Sequence, residues 1–178
     1  MTRLPLVSLF LLPCLLSACG GKAEKEPATA APDGPASSAL ERAAIDAGVV
    51  ADASAIPPTG LYRQRHESGR DTLCMVPGDD GEMRFGLEAM YGRDIHCQGK
   101  GTARISGDKL IMNFARSACI IVARYDGDRV ALPGAVDREC ERLCNDPASL
   151  EGVSFPRVSR SASVAKDARA SDKAALCE

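Results

Sequence analysis

The sequence predicts a mainly β fold: a small antiparallel meander of about eight strands, forming a barrel or sandwich, stapled by disulfides and followed by a short C-terminal helical tail. Three observations predict it. Short runs of alternating apolar and polar residues recur from residue 59 onward, clusters of Gly, Asp and Ser punctuate them, and cysteines are scattered through the whole stretch. The chain divides into residues 1–18, a leader; residues 19–58, a linker; and residues 59–178, the domain.

The leader has the parts of a secretory signal: Arg3 is the basic start, an apolar run extends from Leu4 to Leu16, and Ser17 and Ala18 close it. At about thirteen residues the run is shorter than the ~20 that a membrane-spanning helix needs. Leu16-Ser17-Ala18-Cys19 resembles the lipobox of bacterial lipoproteins. The resemblance implies cleavage before Cys19, a diacylglyceryl thioether on its sulfur, and an acyl chain such as palmitate on the new amino group. It also implies that the membrane partner is reached through the lipid on Cys19, and that everything beyond lies outside the cytoplasm. An ordinary secretory signal cut after Ala18 is the alternative, but it has no need of a cysteine there. The family's inner-membrane retention signal, an Asp directly after the cysteine, is replaced by Gly20, which implies the outer membrane in a cell with two membranes.

From Gly20 to about Pro58 the chain is rich in Ala, Pro, Ser and charged residues and has no aromatic residue. Such a composition buries too little surface to offset the entropy of ordering. As a flexible chain it spans on the order of 35 Å, enough to hold a domain clear of lipid headgroups. Ser38-Ala39-Leu40-Glu41 has capping-box spacing, which predicts a short helix over Ala39 to Ala47 stopped by Gly48.

The domain strands are expected at about Leu61 to His66, Asp71 to Val76, Glu82 to Met90, Ile95 to Ile105, Lys109 to Ala115, Ala118 to Asp126, Arg129 to Leu132 and Leu150 to Val158. Met83, Phe85, Leu87 and Ala89 share one face while Arg84 and Glu88 share the other; Ile95, Cys97, Ala103 and Ile105 oppose His96, Gln98, Lys100, Thr102 and Arg104. Gly99 and Gly101 fall on the inward face, where they admit a bulky side chain or another backbone. Cys119 to Ala123 is apolar on both faces, which predicts a central strand. The stretch from Ser161 to Leu176 has only a thin apolar stripe and is expected to be a weakly packed helical tail held through Cys177.

Of the eight cysteines, Cys14 leaves with the leader and Cys19 is the lipidation site. Cys74, Cys97, Cys119, Cys140, Cys144 and Cys177 remain, and an even count in an exported domain reads as disulfides. If the turn at Ser106-Gly107-Asp108 sets Ile105 opposite Lys109, Cys97 comes opposite Ser117, so Cys97 with Cys119 is the expected pair. Cys140 and Cys144 lie on one face of a helical turn and should pair outward to separate partners. Cys74 and Cys177 are then the remaining candidates for those partners, with Cys74 expected at the same end as Cys97, Cys119, Cys140 and Cys144. A zinc site from Cys140, Cys144, Cys97 and His96 lacks the ligand spacing such sites use, and no cofactor is expected.

The formal net charge of -2 gives no bulk attraction to nucleic acid. No nucleophile-elbow, P-loop, dinucleotide or HExxH motif is present. The two histidines, His66 and His96, read as solvated surface residues. The expectation is therefore a lipid-anchored cell-envelope protein that acts as a non-catalytic binding or structural module for an unknown envelope protein. The alternatives are a small envelope enzyme, which a carboxylate pair sharing a cleft would mark, or an inhibitor of an envelope-directed enzyme such as lysozyme. Gly60-Leu61-Tyr62 ahead of a meander resembles the start of lipocalin-like barrels, and a lipid-anchored, disulfide-bonded β-domain is similar in outline to membrane-bound lysozyme inhibitors; neither resemblance carries a site. At the end opposite the cysteines the turns gather Asp79, Asp80, Asp108, Asp126 and Asp128 into a rim that could hold a hard cation such as Ca²⁺ or a basic partner. Asp and Gly are also what tight turns require.

Overall fold

The computed structural model describes residues 35–50, 52 and 55–177, without the side chains of residues 35–38 and 80. Cys19 and the leader lie outside the described residues. Before the domain, helix α1 (Pro35–Asp46) begins earlier than its capping box suggests, with proline in its first turn, where a missing N–H costs nothing. It ends as expected at Gly48, whose φ of 70° suits the left-handed cap.

The domain is a closed barrel of eight antiparallel strands in chain order. They are β1 (Gly60–His66), β2 (Gly69–Pro77), β3 (Met83–Met90), β4 (His96–Ser106), β5 (Lys109–Phe114), β6 (Ile120–Tyr125), β7 (Arg129–Ala131) and β8 (Ser154–Ser159). Residues 150–153, expected to begin the last strand, instead form a loop that inserts Leu150 and Val153 into the core. Inward positions carry Tyr62, Leu73, Met75, Phe85, Leu87, Leu110, Met112, Phe114, Ile121, Tyr125, Val130 and Phe155, all buried. A barrel of eight strands is just wide enough for side chains to fill, and here they fill it. Phe85 and Phe114 meet edge to face at 5.0 Å. A Cβ on Gly99 would lie 2.5 Å from the Phe114 ring, and one on Gly101 1.8 Å from the Asn113 carbonyl, so these glycines do admit close neighbours. Closure also corrects the reading of β6 as central: Ile120 and Val122 point outward and are 56% and 48% exposed.

The two barrel ends are sealed differently. At one, residues 56–58 lie across the opening as a strap: the Tyr62 hydroxyl donates to the Pro58 carbonyl at 2.7 Å, and the Tyr125 hydroxyl donates to Ile56 at 3.0 Å. The Arg157 side chain, 3% exposed, lies 5.2 Å from the Tyr62 ring and 5.6 Å from that of Tyr125, and donates to the Pro57 carbonyl at 3.0 Å. Burial raises both tyrosine pKa values, so the hydroxyls stay protonated donors.

At the other end the segment between β7 and β8, including helix α2 (Arg138–Glu141), is tied down by Cys97–Cys144 and Cys119–Cys140. Cys140 and Cys144 therefore do pair outward to separate partners, but the expected Cys97–Cys119 pair is overturned. The β4–β5 turn closes on Ser106 and Lys109, one residue away from the expected register. β5 pairs with β4 only as far as Phe114 opposite Gly101, so the start of β4 projects beyond it. That projection is paired instead by the loop after α2: Gln98 donates to the Leu143 carbonyl at 2.8 Å and Asn145 to that of His96 at 3.0 Å.

Cys74 and Cys177, expected as the partners of Cys140 and Cys144, instead bridge each other on the barrel wall, since Cys74 lies opposite Leu61 and Gly86 and not at the cysteine-rich end. The tail is also corrected. Helix α3 (Ala162–Lys166) is only one turn, and the rest is irregular chain packed firmly on β1–β3. Ala165, Ala168, Ala170 and Leu176 bury against Leu61, Cys74 and Val76 in a second apolar cluster. The Glu88 carboxylate, covered to 3% exposure, accepts from the Ser171 N–H at 2.8 Å and its hydroxyl at 2.6 Å. Gly86 lets this tail approach: a Cβ there would stand 2.0 Å from the Leu176 carbonyl oxygen. Gly86→Ala should therefore lower stability by about 1–3 kcal/mol in urea denaturation. Limited proteolysis should find residues 160–177 cut faster, with Cys74–Cys177 still intact.

Candidate functional site

β8 closes the barrel onto β1 through only two pairs, Leu61 with Ser159 and Tyr62 with Arg157, separated by a bulge. Beyond Tyr62 the two strands part. The opening becomes a cleft of about 530 Å³ at the disulfide-bonded end, between the β1–β2 hairpin and residues 151–154. Strand parity explains its polar lining. Gln64 and His66 continue the inward phase of Tyr62, and Asp71 continues that of Leu73 and Met75, so the face that is apolar inside the barrel turns polar where it reaches the opening.

Asp71 is buried and its Oδ1 accepts from the Met90 N–H at 2.8 Å. The same oxygen is 3.0 Å from His66 Nε2, so the carboxylate anchors the imidazole while the ring's other nitrogen makes no hydrogen bond to the described protein. Tyr91 lines the cleft beside them and donates its hydroxyl to the Ser149 carbonyl; burial, then repulsion from Asp71, raises its pKa and keeps that donor proton in place. On the far side Arg129 donates to the Ser154 hydroxyl at 2.9 Å, and Glu151 completes the charged lining. The cleft thus offers an oriented imidazole, a phenol and charges of both signs, a set suited to holding a polar group. The reading of His66 as a surface residue holds, with the addition that its ring is hydrogen-bonded to a buried carboxylate. The signal was the parity of Asp71, a charge on the inward phase of an otherwise apolar strand.

The acidic turns are at the opposite, strapped end. Asp126 Oδ1 accepts from the Asp128 N–H at 3.0 Å, Asp128 takes Arg160 at 2.9 Å, and Asp108 faces Arg124 at 3.9 Å. Asp79 begins a short 3₁₀ turn with Asp80, whose side chain is outside the described set. The rim residues with described partners are thus engaged in turn geometry and with arginines. Among the described residues no group of three or more His, Cys, Asp or Glu side chains is placed to hold a metal ion.

Fold and cleft together define a small, solid-cored, disulfide-stapled eight-stranded barrel with a polar cleft at a parted seam. Compared with known proteins, the chain matches no protein-family model, and no curated protein or solved structure is significantly similar to it.

Two measurements follow. Asp71→Ala leaves the buried Met90 N–H without its acceptor and should cost about 1–3 kcal/mol in chemical denaturation, with the His66 ring resonances losing their fixed environment in NMR spectra. Asp128 is held below the usual aspartate range, first by the hydrogen bond from Arg160 and then by the charges of Arg160 and Arg157. A folded value below the unfolded one favours the fold above the ordinary aspartate pKa, and that contribution is lost as the pH falls through the folded value. Arg160→Gln should bring the Asp128 carboxyl back up in a carbon-detected NMR titration.

Proposed function

We propose that this protein is a lipid-anchored module of the cell envelope, tethered through Cys19 to the outer membrane where the cell has two, which binds an envelope protein partner in the cleft at the parted β1–β8 seam. The observation that carries the binding site is the filled barrel. With Tyr62, Phe85, Phe114, Tyr125 and Phe155 packed inside, the interior leaves recognition to the surface, and the cleft is where inward-phase polar groups reach solvent. The lipobox resemblance supports the anchor. Three disulfides suit an oxidising compartment, and no helix among the described residues is long and apolar enough to cross a membrane.

A second reading is a small envelope enzyme. Asp71 and Glu151 line the same cleft, with His66 oriented by Asp71, which is the placement a carboxylate-based site requires. Binding is the better supported reading because His66 has no hydroxyl or thiol hydrogen-bonded to it, and the Ser154 hydroxyl is occupied by Arg129.

Growth with an alkyne fatty acid should label the wild-type protein and leave Cys19→Ala unlabelled and unprocessed; label on the variant, or none on the wild type, refutes the anchor. A photocrosslinking residue at Gln64 should give a discrete protein adduct in intact cells, whereas the same residue at Val122, on the outer face of β6, should not.

A further inference from the structure

The parted seam leaves a strand edge free. With His66 and Gly69 closing the β1–β2 hairpin, antiparallel alternation turns the peptide groups of Arg63 and Arg65 away from β2 and toward the β8 side. Leu61 shares that phase and pairs with Ser159 of β8, and the Tyr62–Arg157 pair of the other phase turns the Arg63 N–H to the Pro156 carbonyl. Beyond that contact the peptide groups of Arg65 have no ladder partner in β8; the Arg65 carbonyl accepts from the Gln64 side-chain amide at 3.3 Å.

The same two residues carry uncompensated charge. Arg63, Arg65 and Arg70 share the outward face of the hairpin, with Arg65 directly opposite Arg70. No carboxylate lies within 4 Å of any of them among the described residues. The Arg63 Nε is buried without a hydrogen-bond partner. Burial, then the charges of Arg70 and Arg65, lower the Arg63 pKa, and no acid acts in the opposite direction. Like charges paired across a ladder destabilise it, and a strand laid beside β1 would place its alternate side chains about 5 Å from Arg63 and Arg65.

We propose that the free edge of β1 at Arg65, flanked by the Arg63 and Arg70 side chains, is a docking strip for an extended acidic peptide segment of the partner, which pairs with that edge across the mouth of the cleft. This rests on the reading of the cleft as the binding site and names what it binds. The peptide backbone pairs with Arg65, its outward acidic side chains neutralise the arginines, and its inward side chains meet Gln64 and His66. Anionic lipid or a free phosphate could answer the arginines, but neither supplies the backbone donors and acceptors that the edge lacks.

The test is selection from a display library of random short peptides on the full-length protein in detergent, followed by synthesis of the enriched sequences. Enrichment of Asp and Glu at alternate positions is expected. N-methylation of alternate peptide bonds, and separately the Arg63→Gln, Arg65→Gln, Arg70→Gln variant, should each weaken binding about tenfold or more. N-methylation acts on the peptide alone, so it reads edge pairing independently of any effect of the substitutions on folding. Selection without acidic enrichment, binding indifferent to N-methylation, or arginine-dependent binding to phosphatidylglycerol vesicles with no peptide selected would each overturn the proposal. If the Gln64 crosslink persists in cells after such a result, only the peptide inference falls; if the crosslink is absent, the cleft reading falls with it.

Discussion

Everything in this domain depends on the interior width of an eight-stranded barrel. The space admits side chains and little else, so each inward position must be filled in register with those across from it. Phe85 and Phe114 occupy one level only because Gly99 has no side chain to displace the ring, and Gly101 accepts the Asn113 backbone for the same reason. A filled interior moves the remaining problem to the ends, where inward side chains run out of apolar partners. One end is solved with hydrogen bonds: two tyrosines and Arg157 donate to a strap of carbonyls. The other is solved covalently, by bridging the β7–β8 connection to β4 and to the start of β6.

The barrel wall has its own economy. β1–β3 are apolar on both faces where Leu61, Cys74 and Val76 point outward, and the chain covers them with its own last residues. Because α3 is a single turn, the cover depends on packing, on Cys74–Cys177, and on the Glu88 carboxylate that accepts two hydrogen bonds from Ser171. A buried carboxylate is tolerable there because the donors replace its lost water.

Most of the barrel was legible because alternation and turn chemistry are local. Seven of the strands lie where Gly, Asp and Ser clusters and the period-two pattern put them, and β8 begins four residues later than Leu150. What was not legible depended on distance along the chain. The expected Cys97–Cys119 pairing assumed that β5 stays paired with β4 as far as Cys97, and nothing local shows that the loop after α2 comes back to pair with Gln98 instead. The apolar outer face of β6 suggested burial because a sequence does not distinguish a central strand from one in a closed wall. The cleft escaped notice for a related reason. Asp71 and His66 are adjacent through the hairpin, but their pairing matters only because β8 parts from β1 above Tyr62, and that parting lies between two strands nearly a hundred residues apart.

The strap also decides how the domain bears mechanical load. The chain enters the barrel at residues 56–58, at the end away from the cleft, so a pull from the N-terminal side arrives first at the carbonyls bound by Tyr62, Tyr125 and Arg157. Those bonds share the tension in parallel before any reaches the β1–β2 ladder. Behind them Cys74 joins the wall strand next to β1 covalently to the far terminus, so the pull is spread across the barrel instead of peeling β1 from its edge. The strands that line the cleft lie downstream of this anchorage, and a pull at the strap would leave the cleft in shape.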